Sequence, residues 1–137
     1  MRELLFIICL LITNIIIAQK KIESNNYLET SKQFYKDLAY DSAYTYAKKS
    51  YTFFNTKKND SLTFASLLEL FRSSDKLNNN EADGYLESAK SLAKKLNNPS
   101  MVIDAYYYEA NSYYYKDDFV KALPLFLKID SISNDEN

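Results

Sequence analysis

The chain has 137 residues, 47% of them apolar, which is enough for one domain with a core of its own. Its 17 Lys+Arg and 18 Asp+Glu are scattered without a block of one sign, so it lacks the concentrated basic stripe that nucleic acid requires. It has no histidine, one cysteine and one glycine, which excludes Cys/His zinc sites, a Ser-His-Asp triad, disulfides within the chain and glycine-rich phosphate loops.

The first segment, "MRELLFIICLLITNIIIAQ", opens with Arg2, runs apolar from Leu4 to Ile12, and reaches Ala18 through Ile15, Ile16 and Ile17. That order of base, apolar stretch and small residue is expected to be a secretory signal comprising residues 1–18, cleaved after Ala18. A membrane span needs about 20 apolar residues, and Thr13 and Asn14 interrupt this run. Lys20 and Lys21 leave an uncleaved anchor as the alternative, which is the one route by which this chain would meet a membrane. Cys9 lacks the small residues that precede a lipidated cysteine. Removing residues 1–18 takes away Arg2 and Glu3, so residues 19–137 keep a net charge of −1. The reading places this domain outside the cytoplasm, secreted or periplasmic, in a bacterium.

From residue 19 onward, apolar residues recur every three or four positions and glycine is nearly absent, which predicts helices throughout. The polar breaks "KDLAYD" (36–41), "NTKKNDS" (55–61), "NNNEADG" (78–84), "NNPS" (97–100) and "KDD" (116–118) separate them. Six helices are predicted, at 24–36, 39–55, 61–76, 82–96, 100–116 and 118–132. An internal repeat is also present. Tyr27, Phe34, Tyr35, Tyr40 and Ala43 match Tyr106, Tyr113, Tyr114, Phe119 and Ala122, each pair 79 residues apart. Two units of about 39.5 residues fit that offset, with the middle one in 61–96. The predicted fold is all-α: three tandem antiparallel helical hairpins at 24–55, 61–96 and 100–132.

This pattern resembles the tetratricopeptide repeat family over residues 24–132, most closely in the last unit. There Tyr106, Ala110 and Tyr113 are followed by the acidic turn Asp117-Asp118 and by Phe119, Ala122 and Phe126. Glu109 stands where the family usually has an aliphatic residue, and "EADGYLESAKSLAKKL" has lost the motif. The resemblance implies a right-handed α-solenoid of about three repeats whose first helices line a concave groove.

The stretch "DAYYYEANSYYYKDDF" places six tyrosines within ten positions. On a helical wheel Tyr106, Ala110 and Tyr113 share one face, predicted to be core. Tyr107 and Tyr114 lie about 100° round from it. Asp104, Asn111 and Tyr115 are further round on the polar side, with Tyr108 just beyond. A packed and a partner-facing role both stay open for Tyr107, Tyr114 and Tyr115, since polar residues share their face. Carried over from the family, the groove candidates are Lys32, Tyr35 and Lys36 from the first unit, Glu69 and Arg72 from the middle one, and Tyr107, Asn111, Tyr114 and Tyr115 from the last. Lys32 and Asn111 do not form the lysine/asparagine set of a carboxylate clamp.

Asp117-Asp118 reads as a helix cap rather than a catalytic pair, and Lys90 and Glu87 read as solvated surface. In the last helix Phe119, Ala122, Leu123 and Phe126 are predicted to face their own hairpin. Val120, Leu125, Leu127 and Ile132 fall on other sides, which predicts a second interface toward further repeats or a second copy. The expected function is a non-catalytic scaffold that binds a protein or peptide, with no cofactor, no metal and no nucleic acid. The alternative is the extracytoplasmic sensory region of a longer signalling protein, a histidine kinase or DNA-binding regulator, cut at residue 137.

Overall fold

The computed structural model describes residues 26–135, and the expected signal lies outside them. Among the described residues there are six helices and no strand. They are α1 (Tyr27–Lys36), α2 (Tyr40–Thr56), α3 (Asp60–Lys76), α4 (Ala82–Lys95), α5 (Pro99–Tyr114) and α6 (Phe119–Asp135). All six predicted helices are present, with ends shifted by a few residues. Each packs on the next in sequence, and α3 also touches α1 and α5.

The turns explain the pairing. Leu38, Lys58, Asn78, Asn97 and Asp117 all take a left-handed backbone with φ between 50° and 61°, one after each of the first five helices. At Leu38 the amide donates to the Tyr35 carbonyl, and that of Ala39 to the Phe34 carbonyl. The same double closure recurs at each of the other four turns. It satisfies the last carbonyls of the helix and reverses the chain within two residues. At four of the five turns the residue that completes the closure directly precedes the next helix, while after Asn78 the three residues Asn79, Asn80 and Glu81 intervene. Asn59 and Asn98 accept the Leu62 and Met101 amides through their side chains, each at 3.1 Å.

Leu38, Asn78 and Asp117 recur 40 and 39 residues apart, and Lys58 and Asn97 recur 39 apart. The chain is therefore repeat-like in its turns, including the middle unit that had lost its sequence motif. Ala43, Ala82 and Ala122 recur 39 and 40 residues apart and are all buried, with Ala82 one residue nearer its turn than the other two. None of the turn residues is glycine, so each left-handed position carries a steric cost. Leu38 bears it with no shielding, being 70% exposed. Leu38→Gly is expected to raise stability by about 0.5–1 kcal/mol, relief of the clash outweighing the added freedom of the unfolded chain. Chemical denaturation measures this, and a loss of stability would show that the leucine is held by a contact worth more than its strain.

The core follows from how many neighbours each helix has. From Thr63 to Ser74 nearly every residue of α3 is buried, because four helices surround it. Small residues set the close approaches: Ser31, Ala43, Ala47, Ser50, Ser66, Ala89, Ala93, Ala105 and Ala110 are wholly buried. Some buried hydroxyls are paired across helices, whereas those of Thr63, Ser73 and Ser74 have no hydrogen-bond partner among the described residues. Ser31 donates to the Ala43 carbonyl at 2.7 Å. Ser66 gives its proton to the Leu62 carbonyl, so Ser50 donates to Ser66 across the α2–α3 contact, also at 2.7 Å.

Three expectations about burial need correction. Tyr106 and Tyr113 are half-buried rather than enclosed, because Ala105 and Ala110 occupy the tightest positions on α5. Tyr106 instead lies under Lys128, 4.3 Å from the ring, and accepts a hydrogen bond from its ammonium. Lys90 is not solvated surface: it is largely covered and bridges Glu109 at 2.8 Å and Glu87 at 2.9 Å. Glu109 thus replaces an aliphatic contact between α4 and α5 with an ion pair.

On α6, Phe119 and Leu123 face outward with Val120 and Leu127, while Ala122 is buried and Leu125, Phe126 and Ile132 are half-buried. The reason is geometric: α6 packs on α5 and on no other described helix. Pro124 sits inside α6 without ending it, at the cost of one amide donor.

Candidate functional site

The first helix of each hairpin contributes to one surface, since α1, α3 and α5 lie side by side. Two hollows open on it. The first, of about 240 Å³, gathers Tyr35 from α1, Phe71, Arg72, Asp75 and Lys76 from α3, and Tyr107, Tyr108, Asn111, Ser112 and Tyr115 from α5 and its end. The second, of about 420 Å³, holds Lys32, Glu69, Asp104 and Tyr108, with Phe64 and Leu68 at its floor.

Five of the nine groove candidates therefore converge on the first hollow: Tyr35, Arg72, Tyr107, Asn111 and Tyr115. Lys32 and Glu69 belong to the second. Lys36 lines neither. Tyr114 stacks edge-on against Tyr115 and Phe119, with each pair of ring centroids 5.6 Å apart, so it continues toward the exposed face of α6. Tyr107 is 51% exposed beside the half-buried Tyr108, and the two rings meet edge to face.

Tyr108 was not among the candidates, yet it is the one residue shared by both hollows. Asp75, Lys76 and Ser112 are also additions. With the turns as register, Lys32, Tyr35 and Lys36 of the first unit correspond to Arg72, Asp75 and Lys76 of the middle one, then to Asn111, Tyr114 and Tyr115 of the last. Arg72 therefore holds its expected place, whereas Glu69 sits one turn earlier, and that turn faces inward. The Asn-rich break at 78–80 carried the signal that would have fixed this register.

The electrostatics of the first hollow are mostly neutralised in place. Glu69, only 2% exposed, takes the Arg72 Nε at 2.6 Å and Nη2 at 2.5 Å on one carboxylate oxygen. Burial raises the Glu69 pKa above its ordinary value, and Arg72 only partly offsets that. The guanidinium also lies 3.9 Å from the centre of the Tyr35 ring, a favourable cation–π geometry. Asp75 accepts from Ser112 at 2.9 Å and pairs with Lys116, tying α3 to the end of α5. Among the described residues Lys76 pairs with no acid, and it lies over Tyr115 at 5.3 Å.

The result is a shallow aromatic surface with fixed hydrogen-bonding groups and one cation, Lys76, that pairs with no acid among the described residues. Such a surface offers contact area at low entropic cost, because tyrosine has few rotors to immobilise. Just past the same end of α5, Asp118 caps α6, accepting the Lys121 amide at 3.3 Å and ammonium at 3.0 Å. Those bonds hold its carboxyl below the usual range. Among the described residues no group of three acids, histidines or cysteines is placed to hold a metal ion. No described helix is long and apolar enough to cross a membrane.

No family model matches the chain, and no curated protein or solved structure does.

Proposed function

We propose that this chain is a non-catalytic module of the tetratricopeptide type, working outside the cytoplasm, that binds a protein or peptide segment on the surface of α1, α3 and α5. The observation that carries the reading is the convergence of Tyr35, Arg72, Tyr107, Asn111 and Tyr115 on one hollow from three successive hairpins. Support for the family comes from the 39–40-residue step of the turns and from a buried alanine four or five residues after the turn in each unit. The uncovered apolar face of α6 is read as a second contact surface, toward further repeats or another copy. Four large apolar side chains side by side there are more than a monomer's surface usually leaves together.

The test is a photo-crosslinker placed at Asn111 in cells that make the full chain. A discrete adduct is expected, and Tyr107→Ala should remove most of it. Tyr107→Ala should change stability by no more than about 0.5 kcal/mol, since half of its surface is already in water. An adduct equally strong with Tyr107→Ala, or no adduct at Asn111 above that at the exposed Lys94, would overturn the reading.

A further inference from the structure

A separate groove of about 620 Å³ runs along α2, away from the site above. Its walls are Tyr27, Tyr44 and Phe53, and its rim carries Lys48, Lys49 and Lys57. Among the described residues no carboxylate lines it. The sequence from Ser42 to Asn59 contains four lysines and no acid, although the whole chain is balanced at a net charge of −1. Four other lysines of the described region, Lys32, Lys90, Lys116 and Lys121, hold ion pairs. Among the described residues Lys48, Lys49 and Lys57 hold none. Lys48 and Lys49 are drawn over aromatic rings instead, 5.5 Å from Tyr44 and 4.5 Å from Tyr46. Glu81, an acid within electrostatic reach of Lys48, accepts the Tyr44 hydroxyl at 2.7 Å and the Tyr85 hydroxyl at 3.1 Å, so two phenols already engage it.

We propose that this groove binds an extended acidic segment of a protein partner. Two features select a polypeptide over other polyanions. Thr45, Thr52 and Thr56 line the groove, and each has spent its proton on the carbonyl four residues back: Asp41 at 2.9 Å, Lys48 at 2.9 Å and Thr52 at 2.7 Å. Their oxygens are left as acceptors, which suit backbone N–H donors and give nothing to a phosphate or carboxylate alone. The spacing is the second feature. Lys49 and Lys57, the latter capping α2, are eight residues apart, about 80° round the axis with a rise of about 12 Å, which is about four residues of extended chain. The preferred ligand therefore carries acids about four positions apart, with apolar side chains between them to meet Tyr27, Tyr44 and Phe53.

Fluorescence anisotropy tests this with the full chain and a labelled ten-residue peptide bearing two glutamates four positions apart and a leucine between them. Binding is expected to weaken with added salt. The triple variant Lys48→Gln, Lys49→Gln, Lys57→Gln should weaken it about tenfold, the sum of three modest exposed charge contacts. Thr52→Val, which removes one acceptor and keeps the shape, should weaken it a few-fold more than it weakens any binding to vesicles of anionic phosphatidylglycerol. Tyr107→Ala should leave it unchanged, which separates this groove from the α1–α3–α5 surface. The proposal is overturned if the triple variant binds the peptide as the parent does. It is also overturned if adjacent glutamates bind as well as spaced ones, or if vesicles bind through these lysines while the peptide does not. Circular dichroism of the exposed lysine variants checks that each is folded.

Discussion

Leu70→Ala is expected to lower stability by about 2–5 kcal/mol, toward the upper end of that range. Leu70 is the largest side chain with no exposure at all, and it lies at the middle of α3. The helices packed on α3 present alanine and serine at their tightest positions, among them Ala47, Ser50, Ala89 and Ala105. These short side chains have no reach with which to fill the space a leucine vacates, so the cavity persists and its cost adds to the lost burial. The position matters as much as the volume. Because α3 alone touches α1, α2, α4 and α5, a defect there loosens both outer hairpins at once. Total stabilities of about 5–15 kcal/mol are usual for domains of this size, so the loss would take a large share. Leu123→Ala, on a side chain 60% exposed, is the matched control and should cost little. Urea denaturation measures both. A Leu70→Ala cost as small as that of Leu123→Ala would mean that α3 is not the element that couples the hairpins.

The helices and their order were legible because their punctuation is local. Each break carries asparagine, aspartate or lysine at the left-handed position, and in every break but the one at 78–81 the following residue directly precedes the next helix. Leu38 is the exception, a leucine with no propensity for that backbone, and there "KDLAYD" was legible only through its likeness to "KDDF". Burial was less legible. A helical wheel gives the angle between side chains but not the number of helices that cover each angle. Phe119 and Leu123 were therefore assigned inward on the wheel of α6, although only α5 lies against that helix. The same gap hid Tyr108, which the wheel places at the edge of a polar arc and which α3 covers. Register in the middle unit failed for another reason. Its aromatic landmarks are replaced by Leu67, Ser74 and Asp75, so Glu69, one turn before Arg72, stood among the groove candidates while Asp75 and Lys76 did not. The ion pair between Lys90 and Glu109 had no sequence signal, since neither residue lies within a helical turn of the other.

Arg72→Ala is expected to cost about 3–5 kcal/mol at neutral pH, because it leaves a buried carboxylate without its partner. In the folded chain Glu69 already holds its proton more readily than its ordinary value of 4.5, burial outweighing the pull of Arg72. A carboxyl whose pKa rises on folding stabilises the native state when protonated, and that contribution is lost as pH rises from the unfolded value through the folded one. Removing Arg72 raises the folded value further. The deficit of Arg72→Ala relative to the parent should therefore be largest near pH 7 and should shrink as the pH falls toward about 5. Adding Glu69→Gln removes the charge that needs a partner, so the double variant should recover much of the loss and lose most of the pH dependence. What it does not recover is the cation stacked 3.9 Å from the Tyr35 ring, an interaction of about 0.5–2 kcal/mol. Thermal denaturation at the two pH values reads both effects. A deficit independent of pH, or a double variant no better than the single one, would show that Arg72 acts through its packing alone. The double variant also separates stability from recognition. If Arg72 is part of the binding surface, a chain that has regained its fold through Glu69→Gln should still fail to form the adduct at Asn111.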